Sequence, residues 1–335
     1  MTGALSCAAA QTILGASFVV SRHVLDYPTL TGQALRYVLA ALILAPLAWR
    51  RVPAVRNPTR TELVWLAGLA ASGLVGFNIF LLAALRHADA PAVGTVVGVT
   101  PLVLAIAGPL LVGLRPAPRV LAAAAIVVAG VVAVEGGGHI DRIGFVFALG
   151  TLLGEVLFSL LAVGLLDRFG PLGVSAWTCV LAIPMLVVSA LACGEAARLR
   201  LPTVGETAAL AYLGLFLTAA AFLAWYSGLH RLGAAVAGMF IGVVPVVSLL
   251  VAMLFDGVAP STVRMVGAVV VGIGIVIGLR AGGTGELPAG SGTGPGDQPG
   301  SQERGVLDLQ PVELAHEHLD GVPAHVLGGD QHGRQ

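Results

Sequence analysis

Lysine is missing from this 335-residue sequence: all 18 basic residues are arginines, and 18 acidic residues balance them to a formal net charge of zero. Charged residues make up only 11% of the chain, against about 25% in an ordinary soluble domain. So few charges leave too little polar surface to keep the chain dissolved, and no basic patch is present to meet a nucleic-acid backbone. The three cysteines, Cys7, Cys179 and Cys193, lie in or beside apolar runs with neither metal-ligand spacing nor an even disulfide framework. Small apolar packing accounts for them. His-Glu-x-x-His is absent, as are paired aspartates within the apolar runs and any His/Asp cluster before the C-terminal tail. A membrane-embedded enzyme needs such a nucleophile or ligand cluster, so no enzyme, cofactor or metal site is expected.

What is present in quantity is apolar. Hydrophobic residues form 57% of the chain, the mean hydropathy is +0.92, and apolar runs recur from the N-terminus to about residue 280. About 20 apolar residues cross roughly 30 Å of hydrocarbon as a helix. Punctuation by Pro, Gly and Arg cuts the sequence into ten such helices, at 3–20, 30–49, 62–85, 91–114, 118–135, 143–165, 171–193, 205–229, 233–255 and 262–279. A spanning strand would alternate apolar and polar residues, whereas residues 122–134 are apolar almost without break. The expected class is therefore all-α and integral to the lipid bilayer. The first run, 5–20, has no arginine before it and further spans behind it, so it reads as a retained helix rather than a signal peptide. From 281 to 335 the composition turns to Gly, Pro, Ser, Asp, Glu and His, a cytoplasmic tail too polar to bury a core and expected to be disordered. His316, His318, His325 and His332 fall there, incidental to such a tail or, in the competing reading, a metal site.

A constant offset of 144 aligns residues 85–132 with 229–276 without a gap, pairing Gly94 with Gly238, Gly98 with Gly242, Pro101 with Pro245, Pro116 with Pro260 and Gly130 with Gly274. The chain thus divides into a first five-helix repeat, 1–137, and a second, 138–280, before the tail at 281–335. Five is odd, so the second copy enters the membrane from the opposite side, giving inverted repeats that can exchange shapes and open a cavity to either face. Short cytoplasmic loops are enriched in basic residues. Arg50, Arg51, Arg56, Arg60, Arg115, Arg119, Arg168, Arg231 and Arg280 fall on one side, and Arg22, Arg86, Arg142, Arg198, Arg200 and Arg264 on the other. The bias predicts a multi-pass protein of the cell membrane with both termini cytoplasmic.

The stretches GASFVVSRHV, QALRYVLAALILAPL, FNIFLLAALRHADAPAVGTVVGVTPLVLAIAGPLL and WYSGLHRLGAAVAGMFIGVVPVVSLLVAMLFDG together resemble the EamA-type members of the drug/metabolite transporter superfamily. The resemblance covers roughly residues 1–280. It departs from the family where Leu14-Gly15 replaces the usual Trp-Gly of the first helix. It implies ten helices in two five-helix repeats, a substrate cavity between them, and efflux or uptake of small metabolites, amino acids or drug-like solutes. It also implies that Arg36 belongs to the Leu-Arg pair such sequences carry in the second helix.

Ionisable groups inside hydrocarbon cost about 2.5–3.5 kcal/mol or more, so each needs a reason. Glu155, in TLLGEVLFSLL, is the deepest carboxylate, roughly 18 Å along its helix at 1.5 Å per residue. Its two readings are a proton-titrating or cation-recognising group, which would couple transport to protons, and a structural carboxylate bonded within the bundle. Arg36 lies about 9 Å below the end of its own helix, where snorkelling competes with a place in the cavity, and an ion pair with Glu155 is within reach of two long side chains. Asn78 and Gln11 are uncharged hydrogen-bonding groups suited to orienting a polar solute or to bonding helices together. Trp177, Trp225 and Tyr226 can stack on a solute, although Trp225 and Tyr226, near a helix end, fit an interfacial aromatic belt. Pro101 and Pro245 interrupt equivalent helices and are hinge candidates. The Gly94/Gly98 and Gly238/Gly242 spacings fit close helix packing. A receptor without transport activity is the other competing class.

Overall fold

In lipid, backbone groups must be satisfied within helices or a closed barrel, and this chain takes the helical solution. A computed structural model describes residues 1–257 and 259–282, apart from the side chain of Asp256. The tail from 283 to 335, with its four histidines, lies outside the described residues. Among the described residues the only β pairing is an isolated bridge between Ala88 and Ile140. Eight helical segments are long and apolar enough to cross a membrane: α1 Thr2–Val24, α2 Thr29–Arg51, α3 Arg60–Ala84, α4 Ala90–Leu111, α5 Pro118–Glu135, α6 Arg142–Ala192, α7 Val204–Phe255 and α8 Thr262–Gly282.

Two of these segments are far too long for one crossing. α6 has 51 residues and α7 has 52, each about 75 Å if straight. Each is broken once, α6 at Gly170 (φ 62°, ψ 174°) and α7 at Gly233 (φ 73°, ψ 163°). A side chain at either φ would meet its own carbonyl, so only glycine turns the chain there without strain. The loops expected at 166–170 and 230–232 are consequently absent: helix runs up to each glycine and resumes directly after it.

Local signals set the starts and the irregularities. α3 and α7 open with the same capping box. The Thr59 amide donates to Glu62 Oε2 (2.7 Å) while the Glu62 amide donates to Thr59 Oγ1 (3.3 Å), and Thr203 and Glu206 repeat both bonds at 2.7 and 3.3 Å. Further along, each helix passes through a π-helical stretch, Ala70–Gly76 in α3 and Leu213–Ala220 in α7. Such widened turns are rare and cluster at functional sites. α4 is interrupted at Gly98 and Val99, and its helix resumes at Thr100-Pro101. In α7 the turn Met239–Gly242 is 3-10, and Pro245 follows it. Each hinge-candidate proline therefore sits at the start of a helical piece, where its missing N–H costs least, and the irregular backbone lies just before it.

With lipid outside, burial between helices depends on close packing of small residues. α5 and α8 meet at glycines on both sides. A Cβ added to Gly130 would lie 2.7 Å from the Val271 nitrogen and 2.8 Å from the Gly267 carbonyl oxygen, and one added to Gly274 would lie 2.9 Å from the Val127 nitrogen and 3.1 Å from the Ala123 carbonyl oxygen. The two contacts exchange under the 144-residue offset. Leu42, Val64, Leu111, Val188 and Val269 are exposed, as expected of side chains whose solvent is lipid. Trp49 and Trp65, near the same end of α2 and α3, are exposed too and fit an interfacial belt.

Candidate functional site

Within the bundle, an aromatic and polar group forms where α2, α3, α6 and α7 face one another. α2 supplies Arg36 and Tyr37. Arg36 Nη2 donates to the Tyr37 hydroxyl (3.0 Å), and the guanidinium carbon stands 4.9 Å from the Tyr37 ring centroid. From Tyr37 the rings continue to Phe222 (6.4 Å between centroids), then from Phe222 to Tyr226 (6.2 Å) and Phe158 (5.2 Å), and Phe158 closes on Tyr226 at 5.1 Å. Offset and tilted pairs at such separations are favourable contacts between ring quadrupoles. Phe222 and Tyr226 follow the π-helical stretch of α7 directly, as Asn78 follows that of α3.

Polar neighbours surround these rings. Asn78 and Cys179 lie within electrostatic range of the Tyr37 hydroxyl, and Cys179, Thr178, Tyr37 and Glu155 within that of Tyr226. Asn78 is buried, and its amide nitrogen donates to the Leu74 carbonyl (2.6 Å) in its own helix. Thr178 donates its hydroxyl to the Val174 carbonyl, and among the described residues the buried Tyr226 hydroxyl has no hydrogen-bond partner. Arg36 Nε, Trp177 Nε1, Trp225 Nε1 and Gln11 Oε1 are likewise buried and unpartnered. A buried polar atom without a partner forfeits about 1–3 kcal/mol, and such groups in a native fold call for an explanation, an absent ligand among them.

The sequence-derived candidates divide accordingly. Arg36, Asn78, Glu155 and Tyr226 come together, and Trp177 precedes Thr178 and Cys179 of the same group. Arg36 and Glu155 do not form the expected ion pair, since the described ion pairs involve neither side chain. Depth along a helix fixes height but not the direction a side chain takes around the axis, and Arg36 turns to Tyr37 instead. Among the described residues the half-buried Glu155 carboxylate has no hydrogen-bond partner, and the Glu155 backbone carbonyl accepts a bond from Ser159 (3.4 Å). The belt reading of Trp225 and Tyr226 is overturned. They are 3% and 0% exposed, because this part of α7 packs on α1, where Cys7 meets Gly228. Gln11, 4% exposed, lies on α1 one turn beyond Cys7. Tyr37, Phe158, Phe222 and Thr178 were not singled out from the sequence, and Cys179 was read there only as apolar packing. In wholly apolar helices nothing distinguishes an inward aromatic ring from one facing lipid.

Both ends of the bundle carry polar ties. At one, Glu195 is buried and accepts from the amides of Leu30 (3.0 Å) and Thr31 (2.9 Å) and from Thr31 Oγ1 (2.8 Å). Beside it the Tyr27 hydroxyl donates to the Arg200 carbonyl (3.1 Å), and Arg200 grips Glu206 with both terminal nitrogens (2.7 and 2.5 Å). These hydrogen bonds to Glu206 hold the Arg200 guanidinium above its ordinary pKa. At the same end a shallow cavity of about 390 Å³ is lined by Arg86, His87, Asp89, His139 and Asp141 among others, and His87 Nδ1 lies 3.1 Å from Asp141 Oδ2. The Gly144 amide, with His87 beside it, keeps the Asp141 carboxyl below its usual range. At the other end Arg168 Nη1 donates to Glu62 (2.5 Å) and Nη2 to the Asn57 carbonyl (3.1 Å), while His230 Nε2 lies 3.2 Å from Asp167.

A multi-span helical bundle with a polar, aromatic interior and unpaired charge at membrane depth belongs among membrane transport proteins rather than soluble helical folds. The chain is a member of the EamA-like transporter family, whose model matches twice, at residues 1–135 and 142–280. It is similar to the uncharacterized transporter YetK of Bacillus subtilis (strain 168), 27% identical over 250 residues that cover 72% of this chain and 76% of that one. The uncharacterized transporter YyaM of the same organism is 24% identical over 271 residues, covering 78% and 88%. A solved crystal structure superposes with a TM-score of 0.70 over 85% of this chain and 99% of its own, at 21% identity, a likeness of fold.

Proposed function

We propose that this protein is a secondary transporter that carries a small organic solute across the cell membrane by alternating access. Its solute chamber is the group formed by Arg36, Tyr37, Asn78, Glu155, Phe158, Trp177, Phe222 and Tyr226. In this reading the breaks at Gly170 and Gly233 are reversals, which divide the eight continuous segments into ten crossings and the chain into inverted five-helix halves at 1–137 and 138–280. The reciprocal contacts of Gly130 and Gly274 support that two-fold relation, and the arginine bias supports cytoplasmic termini. Gln11 lines the approach to the chamber along α1. The irregular turns before Pro101 and Pro245 are its hinges.

The observation that carries the proposal is the presence of unspent polar atoms from both halves at one ring cluster. Among the described residues, Arg36 Nε and the Tyr226 hydroxyl lack partners, and so does the Glu155 carboxylate. Rings from α2, α6 and α7 form the apolar wall beside them. Concave sites for small molecules combine these two features. Glu155 is the proton-coupling group, because a carboxylate at membrane depth without a fixed partner is free to exchange a proton for a solute.

Transport against pH in proteoliposomes tests this, using a metabolite panel and comparing wild type with Glu155→Gln. The variant keeps the side chain's shape and should retain solute counterflow while losing its pH dependence. Superimposable pH profiles would make Glu155 structural, and tight binding without counterflow would make the protein a receptor.

A further inference from the structure

The capping boxes at the two ends are related by the repeat, and each end also carries a tie that joins one half to the other. Glu62 and Glu206 are separated by the 144-residue offset, as are Thr59 and Thr203, so the same capping box stands at both ends of the bundle. Each glutamate also engages an arginine. In the first copy the arginine is Arg168, from the second half, which also reaches the Asn57 carbonyl. In the second copy it is the local Arg200, whose backbone carbonyl receives Tyr27 of the first half. At that end Glu195 of the second half further caps the start of α2, whose N-cap residue Pro28 supplies no side-chain bond of its own.

We propose that these are two latches, one at each end, which release in turn so that the chamber opens to one compartment at a time. This rests on the transport reading above. The latches differ in strength by construction. Glu195 is 7% exposed and receives three hydrogen bonds, two of them from helix N-terminal amides. Arg168 and Glu62 are 44% and 19% exposed at the side chain, so water screens their attraction and readily replaces it. The resting protein therefore parts more easily at the Arg168 end, and opening the Glu195 end requires a solute or proton to offset the buried cap.

Cys179 reports on both latches, because it is fully buried within the bundle, within electrostatic range of Tyr37 and Tyr226. With Cys7→Ser and Cys193→Ser it becomes the single thiol. Its rate of modification by a membrane-impermeant thiosulfonate is measured from each side in vesicles of known orientation. Glu195→Gln should speed labelling roughly tenfold or more, from the compartment that residue 195 faces only, since bonds to a charged group are lost. Arg168→Gln should speed it by up to about fivefold, from the opposite compartment only, the range of an exposed ion pair. Thr31→Val removes one bond of the cap without touching its carboxylate, and should act in the direction of Glu195→Gln, which guards against a misfolded variant. Wild-type labelling from both sides with rates unchanged in all three variants would overturn the latches alone. Cys179 unreachable from either side in every variant would overturn the chamber as well.

Discussion

The contact between α5 and α8 allows a prediction whose size follows from the structure. In Gly130→Ala the new Cβ would lie 2.7 Å from the Val271 nitrogen and 2.8 Å from the Gly267 oxygen, against the 3.4 Å at which ordinary contact begins. Both obstacles are backbone, so no side chain can swing aside and the helices must separate by about 0.6–0.7 Å. Overpacking of this kind costs about 1–3 kcal/mol, partly offset by the roughly 1 kcal/mol by which alanine favours helix over glycine. The net expectation is a loss of up to about 2 kcal/mol. Gly272, also on α8, has nothing within 4 Å of a built Cβ, so Gly272→Ala keeps the propensity gain without the clash and should be neutral or slightly stabilising. Thermal loss of the monodisperse peak in size-exclusion chromatography, in one detergent, ranks the three proteins. Equal midpoints for Gly130→Ala and Gly272→Ala would refute the close contact and the two-fold relation drawn from it.

Reporter fusions at Arg56 and Arg142 should report opposite compartments, Arg56 the cytoplasmic one; the same compartment for both would overturn the inverted arrangement. Truncation after Gly283 should leave membrane insertion and counterflow intact, since the polar tail offers no apolar face to bury; loss of the folded peak would reveal a docking element within it.

Most of the spans were legible because lipid demands a run of about 20 apolar residues whatever the packing, and α2, α5 and α8 begin within a residue of where the runs place them. The connections after residues 165 and 229 were not. A helix can continue to a glycine and reverse there, and hydropathy registers no difference between a loop of five residues and a turn of one. Trp225 and Tyr226 show a second limit: an all-apolar helix has no polar face to mark its outside, so position near an end suggested a belt that packing against α1 contradicts. The ion pair of Arg36 with Glu155 failed for the same reason, height being readable and azimuth not. The duplicated box of Thr59 with Glu62 and Thr203 with Glu206 was legible at the offset already found, and would have located both ends of the bundle.

The seam between α5 and α8 has a bearing on ancestry. Gly130 meets residues 267 and 271 and Gly274 meets residues 123 and 127, so the surface is complementary to a copy of itself. A five-helix half inserted in both directions would already possess this seam as the interface of a homodimer, before any gene was duplicated. In the inverted arrangement proposed above, joining two such halves would add no new contact there. It would fix the ratio of the two orientations at one to one, and it would free one half to acquire charges that the other lacks, as Glu195 and Arg168, both of the second half, illustrate at opposite ends.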